Sequence, residues 1–225
     1  KALATTSAGF AFSRGLPDGA VTFDAMIHHC REVTAATHLP VSADLERGKG
    51  DSAERAAETI FAAEAAGLAG CSIEDHTGDP DKPIYDFSHA VERVALRRDF
   101  VFTARAENFL WGRNDLDDTI KRLQAFEAAG ADVLYAPGIA DVETARIICS
   151  SVRKPVNVLA KPGFSIADLA QAGVKRISLG SGLTNFAFGM LETAVREIQQ
   201  DGTFGYARAA MPFGKLQTLF SKDMA

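Results

Sequence analysis

Cysteine is scarce in this 225-residue chain: Cys30, Cys71 and Cys149 are the only three, widely spaced and odd in number. They form neither a disulfide framework nor a CxxC metal pair, a usage that fits a reducing cytoplasm. No apolar run approaches the roughly 18 residues of a membrane span, and no signal-peptide pattern opens the chain. No membrane contact is expected, and the cytoplasm is the expected compartment. An excess of positive charge is missing too. Lys and Arg total 24 against 29 Asp and Glu, a net charge of −5. A binder of phosphate backbones would be basic, so nucleic acid is not an expected partner. Neither a G-x-G-x-x-G at a strand-to-helix junction nor a G-x-x-x-x-G-K-[ST] occurs, which removes the main support for dinucleotide and P-loop readings.

What the chain does have is alternation. It is 47% hydrophobic and 24% charged, enough for one large α/β domain with a sizeable core. Short apolar runs at 2–6, 40–44, 70–74, 100–105, 132–136, 155–159 and 176–179 predict strands. Amphipathic Ala-rich stretches at 52–66, 116–129, 141–152 and 165–172, with apolar residues three and four apart, predict helices between them. Nearly all-apolar strand runs imply burial on both faces and a parallel sheet. Glu64-Ala-Ala-Gly67, Glu127-Ala-Ala-Gly130 and Gln171-Ala-Gly173 each end a helix just before a strand, with Gly supplying the left-handed C-cap. Repeated βα units without a linker predict a (β/α) barrel, or else a doubly wound sheet; the barrel is favoured.

A barrel builds its active site from strand ends at the C-terminal mouth. The first run ends in Thr5-Thr6-Ser7-Ala8-Gly9, small residues whose amides can cradle a carboxylate. The next ends carry Asp44 and Glu46, then Glu74-Asp75-His76, then Arg105-Ala106-Glu107-Asn108; later ends carry Asn157 and Ser178. A lone strand-end acid is more often an N-cap or a surface ion pair, but acids at successive strand ends reverse that weighting. Asp44, Glu46, Glu74 and Asp75 form a hard oxygen set suited to Mg²⁺. Arg105 adds a fork for a substrate carboxylate or phosphonate. His76 is placed to carry a proton, whereas His28, His29, His38 and His89 read as helix-surface or helix-end residues. Cys71 reads as core, and Trp111 either lines the mouth or packs.

Thr6-Ser7-Ala8-Gly9, Ser42-Ala43-Asp44-Leu45-Glu46-Arg47-Gly48-Lys49-Gly50, Ser72-Ile73-Glu74-Asp75, Thr103-Ala104-Arg105-Ala106-Glu107 and Pro155-Val156-Asn157-Val158 resemble the isocitrate lyase/phosphoenolpyruvate mutase superfamily in order and spacing. The resemblance spans nearly the whole chain. It implies a (β/α)8 TIM-type barrel and a Mg²⁺-dependent enzyme, with Mn²⁺ as a substitute metal. Such an enzyme makes or breaks C–C or P–C bonds in small anionic 2-oxo or 2-hydroxy acids through an enolate held on the metal. Carried over by motif, Asp44 is the direct metal ligand, while Glu46 and Glu74 hold the metal through water and Asp18 is a further outer-sphere acid. Ser7, Ala8 and Gly9 bind the substrate carboxylate through main-chain amides. Arg105 grips substrate oxygens and is the first candidate catalytic group; Asp44, Glu107 and Asn157 complete the expected substrate contacts.

The departures shape the expected reaction. The lyases' K-[KR]-C-G-H loop is replaced by residues 76–85, which contain no Cys, so isocitrate lyase chemistry is not expected. The phosphonate branch's longer loop with Lys and Asn-Ser elements is also unmatched. The family's His or Glu on the sixth strand gives way to Tyr135-Ala136-Pro137-Gly138, and Lys49 replaces a frequent Tyr. The leading expectation is a C–C lyase, decarboxylase or hydrolase, with His76 and Tyr135 as candidate proton donors. Phosphonopyruvate-type P–C chemistry is the alternative; a non-catalytic 2-oxo acid binder is the third.

Seven strand runs are one short of a barrel, and the chain starts at Lys1 directly before an apolar run. The resemblance implies a further strand and helix before the Thr6-Ser7-Ala8-Gly9 segment, so the first barrel strand is expected before Lys1, and the short 94–98 passage is expected to hide a second gap. The expected organisation is one barrel domain over 1–225. Its apolar tail over 206–225, with Phe213, Leu216, Leu219 and Phe220 at helical spacing, would expose a hydrophobic patch alone, so a homo-oligomer is expected; the resemblance implies that the last helices are exchanged between neighbours in a dimer-of-dimers homotetramer.

Overall fold

The computed structural model describes residues 2–95 and 100–221. Seven strands form in the expected runs, shortened by at most two residues at either end: β1 (Leu3–Ala4), β2 (Val41–Asp44), β3 (Gly70–Glu74), β4 (Val101–Arg105), β5 (Val133–Tyr135), β6 (Val156–Leu159) and β7 (Arg176–Ser178). Between them run α1 (Ser7–Ser13), α2 (Phe23–Ala35), α3 (Ala53–Ala65), α4 (Phe87–Glu92), α5 (Leu116–Ala128), α6 (Val142–Ser151) and α7 (Ile166–Gln171).

The helices start where the sequence supplies a cap. Thr22, Ser52, Asp115, Asp141 and Ser165 each accept a hydrogen bond from the amide three residues on, filling one of the donors a helix start leaves open. They stop where glycine permits it. Gly67, Gly130 and Gly173 sit at φ of 84°, 105° and 98°, the left-handed turn that reverses a helix into the next strand.

All strand pairs are parallel, and the spatial order is the chain order, β1 to β7. A doubly wound sheet would reverse its order partway. This sheet never does, so the barrel reading holds. It curls far enough that strands without a shared ladder touch. Arg105 on β4 reaches Asp44 on β2, and Arg176 on β7 reaches the Thr103 hydroxyl on β4 at 3.1 Å. The structure is thus a seven-stranded, TIM-barrel-like parallel sheet.

The register corrects one expectation. The strands are not apolar on both faces. Val41, Ala43, Cys71, Ile73, Phe102, Ala104, Leu134, Val156 and Val158 are buried on the outward face, where helices cover them. The residues alternating with them, Asp44, Ser72, Glu74, Thr103, Arg105, Tyr135, Asn157, Arg176 and Ser178, are polar. Period two makes the outside greasy and the inside polar, which prepares the interior for ions. Cys71 is fully buried among the outward residues, as expected.

The chain forms two compact units, residues 1–181 and 182–225. The second unit holds α8 (Gly182–Asp201), a 3₁₀ turn (Gly205–Arg208) and α9 (Phe213–Ser221), and the tail expected over 206–225 falls within it. Glu197 folds the turn back onto α8 by accepting from the Thr203 hydroxyl and the Gly205 and Tyr206 amides. None of its described residues is buried, and Leu183, Phe186, Leu191, Phe213 and Phe220 are among its exposed apolar side chains. Among the described residues no helix is long and apolar enough to cross a membrane. The gap expected at 94–98 falls largely on residues 96–99, which lie outside the described residues.

Candidate active site

At the strand ends the inward polar face becomes a charge cluster centred on Arg105. Its Nη1 lies 3.0 Å from Asp44 Oδ1 and 3.0 Å from Glu74 Oε1, and its Nε donates to Glu107 Oε1 at 2.8 Å. The guanidinium also sits 5.2 Å from the centre of the Tyr135 ring. Adjacent strands deliver these groups because Glu74, Arg105, Tyr135 and Asn157 share one register row across β3 to β6. Burial works against the charge on Arg105, but Glu107, Glu74 and Asp44 hold it protonated. Burial pushes the Glu74 carboxyl well above its usual range; Arg105 opposes this, while Glu107, Asp44 and Glu46 add to it. Glu107 is raised by burial against the pull of Arg105.

The loop after β2 supplies the second pair. Lys49 Nζ lies 2.6 Å from Glu46 Oε2 and donates to the Val21 carbonyl at 2.8 Å. Glu46 and Lys49 both take left-handed backbone, φ 51° and 50°, a strain of roughly 1–3 kcal/mol for each non-glycine residue. The hydroxyl of Thr5, just past β1, accepts from the Asp44 amide. Ser7 donates to Asp44 Oδ2 from its amide at 3.2 Å and its hydroxyl at 2.9 Å.

Opposite the acids, a polar chain crosses the later strands. Asn157 Nδ2 donates to Ser178 Oγ at 3.0 Å, and Ser178 Oγ lies 3.4 Å from the Tyr135 phenol. Burial raises the Tyr135 pKa above that of a free phenol. On the acids' side, His76 Nδ1 lies 3.8 Å from Glu74 Oε2, and its ring stacks on Trp111 at 4.0 Å. That places Trp111 beside the mouth. Burial, helped by Arg47 and Arg105, lowers the His76 pKa. Residues 76–85 close into a hairpin through a His76–Ile84 bridge and a Thr77 amide bond to the Pro83 carbonyl.

Three expected site positions differ from their sequence reading. Asp75 does not join the oxygen set: it pairs with Arg122 at 3.0 Å and accepts from the Glu107 amide at 2.8 Å. Neighbouring strand residues point to opposite faces, so Glu74 and Asp75 cannot share one site. Asp18 sits in the exposed turn before α2, where it accepts from the Gly19 amide; none of its described contacts reaches the cluster. Residues 7–9 are not a loose cradle but the first turn of α1, in which Gly9 donates to its N-cap Thr6 and Ser7 is spent on Asp44. Ser178, Arg176 and Thr103 received no role from the sequence, although strand parity with Asn157 and Arg105 marks them as inward.

The cluster's composition fits a divalent cation. Among the described residues Asp44, Glu74 and Glu107 share Arg105, and Glu46 pairs with Lys49, four carboxyl groups against two cationic side chains. Glu46 Oε1 is buried without a hydrogen-bond partner, an open oxygen that costs free energy unless something binds it. The donors are all hard oxygens, the set Mg²⁺ prefers. Among the described residues no group of three or more His, Cys, Asp or Glu forms a ready cage; the Arg105 guanidinium lies between Asp44 and Glu74.

Comparison with known proteins agrees with the geometry. The model of the phosphoenolpyruvate phosphomutase family matches residues 1–199. A provisionally assigned lyase/mutase from Burkholderia cenocepacia J2315 has a crystal structure with a TM-score of 0.93 and 48% identity, covering 98% of this chain and 83% of that one. The 2-methylisocitrate lyase of Escherichia coli K12 is 32% identical over 180 residues, 72% of this chain and 60% of that lyase. The oxaloacetate decarboxylase of Rhodopseudomonas palustris HaA2 is 30% identical over 179 residues, 73% and 60% respectively. This chain therefore spans about 60% of the length of these two relatives. A polar-lined parallel barrel, an Arg-centred carboxylate cluster and the family match lead to one conclusion: the chain belongs to the isocitrate lyase/phosphoenolpyruvate mutase superfamily.

Proposed function

We propose that this protein is a Mg²⁺-dependent carbon–carbon lyase or decarboxylase acting on a small 2-oxo or 2-hydroxy carboxylic acid. The observation that carries this reading is the buried carboxylate cluster around Arg105, in which Asp44, Glu74 and Glu107 converge on one guanidinium. Asp44, Glu46 and Glu74 would hold the cation, with Mn²⁺ able to replace Mg²⁺. When bound, the metal supplies Lewis-acid stabilisation of negative charge that develops on the substrate's C2 oxygen.

The chain's own residues do the rest. Arg105 is charged, fixed by its neighbours and forked, so it can orient a substrate carboxylate and stabilise an oxyanion without reorganising. Asn157 and Ser178 hold the Tyr135 phenol on the other side of the mouth, beside the Arg105 guanidinium, and a phenol carries its proton at neutral pH. Tyr135 is therefore assigned as proton donor. In a decarboxylation the bond from C3 to the departing carboxylate breaks, and its electron pair enters the C2–C3 enolate. CO₂ leaves, and Tyr135 returns a proton to C3. His76, neutral and stacked on Trp111, shields the Glu74 side of the mouth instead.

No thiol is assigned to this site: Cys71 faces outward under the helices, Cys30 is on α2 and Cys149 on α6. That favours chemistry without a cysteine acid. The deciding experiment incubates the protein with Mg²⁺ and a panel of 2-oxo, 2-hydroxy and phosphono acids while following pyruvate and phosphate. Pyruvate release without phosphate, lost with EDTA, is expected. Phosphate release from phosphonopyruvate would favour P–C chemistry, and ligand binding without turnover over hours would favour a binding protein.

A further inference from the structure

Arg93 is 2% exposed at the end of α4, and the proposed reaction does not use it. Its guanidinium is committed to main-chain oxygens. Nη1 donates to the carbonyls of Gly50, Asp51 and Ser52 at 2.8, 2.6 and 3.2 Å, and Nη2 donates to the Arg47 carbonyl. These four acceptors lie in one short loop and bracket Lys49 on both sides. The same loop carries Glu46 and Lys49 in left-handed backbone, a conformation that persists only where the surroundings over-determine it. A planar fork that meets several carbonyls at once is the kind of constraint required, and an ammonium cannot reproduce its geometry.

A second loop is tied to the first through the same residue. The Arg93 guanidinium lies 4.7 Å from the Tyr85 ring centre, and the Tyr85 phenol donates to Asp51 Oδ1 at 2.7 Å. His89 Nε2 meets the Asp51 carbonyl at 2.8 Å, and Arg47 reaches the Thr77 carbonyl. The loop after β2 and the hairpin after β3 therefore meet at Arg93.

We propose that Arg93 is a positioning residue, which clamps the 46–52 loop and thereby sets Lys49 and the Glu46 carboxylate in the mouth. It touches neither substrate nor metal and acts through the loop's carbonyls. The inference rests on the reading of Glu46 as one of the acids that hold the divalent cation.

Two variants test it, Arg93→Met, which keeps bulk but no donors, and Arg93→Lys, which keeps charge but not the fork. Hydrogen–deuterium exchange reads the clamp directly, and Mn²⁺ titration followed by electron paramagnetic resonance reads its consequence. In Arg93→Met, amides 46–52 are expected to exchange at least 10-fold faster while β2 and β3 keep their protection. The Mn²⁺ dissociation constant is expected to rise at least 5-fold, with Arg93→Lys between the two proteins in both readouts. Wild-type exchange over 46–52 in a folded Arg93→Met, or a loosened loop with unchanged Mn²⁺ affinity, overturns the proposal. If Arg93→Met fails to fold, Arg93→Lys decides alone, and wild-type values in both readouts overturn it. Wild-type protein that binds no Mn²⁺ counts against the metal reading; the exchange result then decides whether Arg93 clamps the loop.

Discussion

Arg105 and its three carboxylates are a buried charge network, and such a network fails asymmetrically. Removing one partner leaves uncompensated charge, which typically costs about 3–5 kcal/mol. Arg105→Lys retains charge but cannot serve Asp44, Glu74 and Glu107 with one planar fork. Its turnover is expected to fall by roughly 10²-fold or more, the scale for loss of a preorganised oxyanion donor, as read by kcat on the best substrate of the panel. Tyr135→Phe removes only the phenol oxygen; turnover should fall by about 10²–10⁴-fold, as for loss of a general acid, with little change in melting temperature. His76 provides a test by pH. Burial, together with Arg47 and Arg105, lowers its folded pKa below the ordinary 6.5, so the unfolded chain binds the proton more readily. Stability from this residue is present above the unfolded value of about 6.5 and is lost as pH falls from there through the lower folded pKa. His76→Gln should lose less melting temperature than wild type between pH 7 and pH 5; an equal or greater loss would show that His76 is not held neutral. At this scale the sequence disclosed the acids and Arg105, because their strand ends could be aligned by motif. It misread Asp75, since a Glu-Asp pair on a strand must split between two faces, and parity already contained that answer. Arg93 was not legible at all: its partners are main-chain oxygens 41 to 46 residues away, and carbonyls leave no mark in a sequence.

The βα units end in glycines whose demands differ. A Cβ added at Gly130, at φ 105°, would meet nothing within 4 Å, whereas at Gly173, at φ 98°, it would lie 3.2 Å from Cys149 Cβ. Gly130→Ala is therefore expected to cost about 1 kcal/mol of conformational strain, which lowers the melting temperature by roughly 2–4 °C for a chain of this size. Gly173→Ala must add a packing displacement and should lower it further. Equal shifts in thermal unfolding would contradict the packing difference. These helix ends and all seven strands were legible because glycine after a helix and apolar runs of four to six residues are local signals. The start of α1 was not. Thr6-Ser7-Ala8-Gly9 reads equally as an anion cradle or as a capped helix, and the bonds that decide it, from Ser7 to Asp44, join residues far apart in the chain.

Residues 182–221 carry many exposed apolar side chains, and Leu183, Phe186, Phe213 and Phe220 are each more than 65% exposed. Monomeric proteins rarely leave such a surface open. A homo-oligomer that covers these helices is proposed on that ground. Light scattering should give a mass well above the 24.0 kDa of one chain, and Phe186→Asp with Phe220→Asp should lower it; a single-chain mass at all concentrations would contradict the proposal. The barrel itself was legible at this scale from βα alternation, and the unreversed strand order settled it against a doubly wound sheet. The central claim is that the carboxylate excess around Arg105 exists to hold a divalent cation. Calorimetric titration of Mg²⁺ into the wild-type protein, and into Asp44→Asn with Glu46→Gln, tests it most directly. The account predicts one site per chain in the wild type and at least 100-fold weaker binding in the double variant. Equal binding by both proteins, or no binding by a folded wild type, would contradict it.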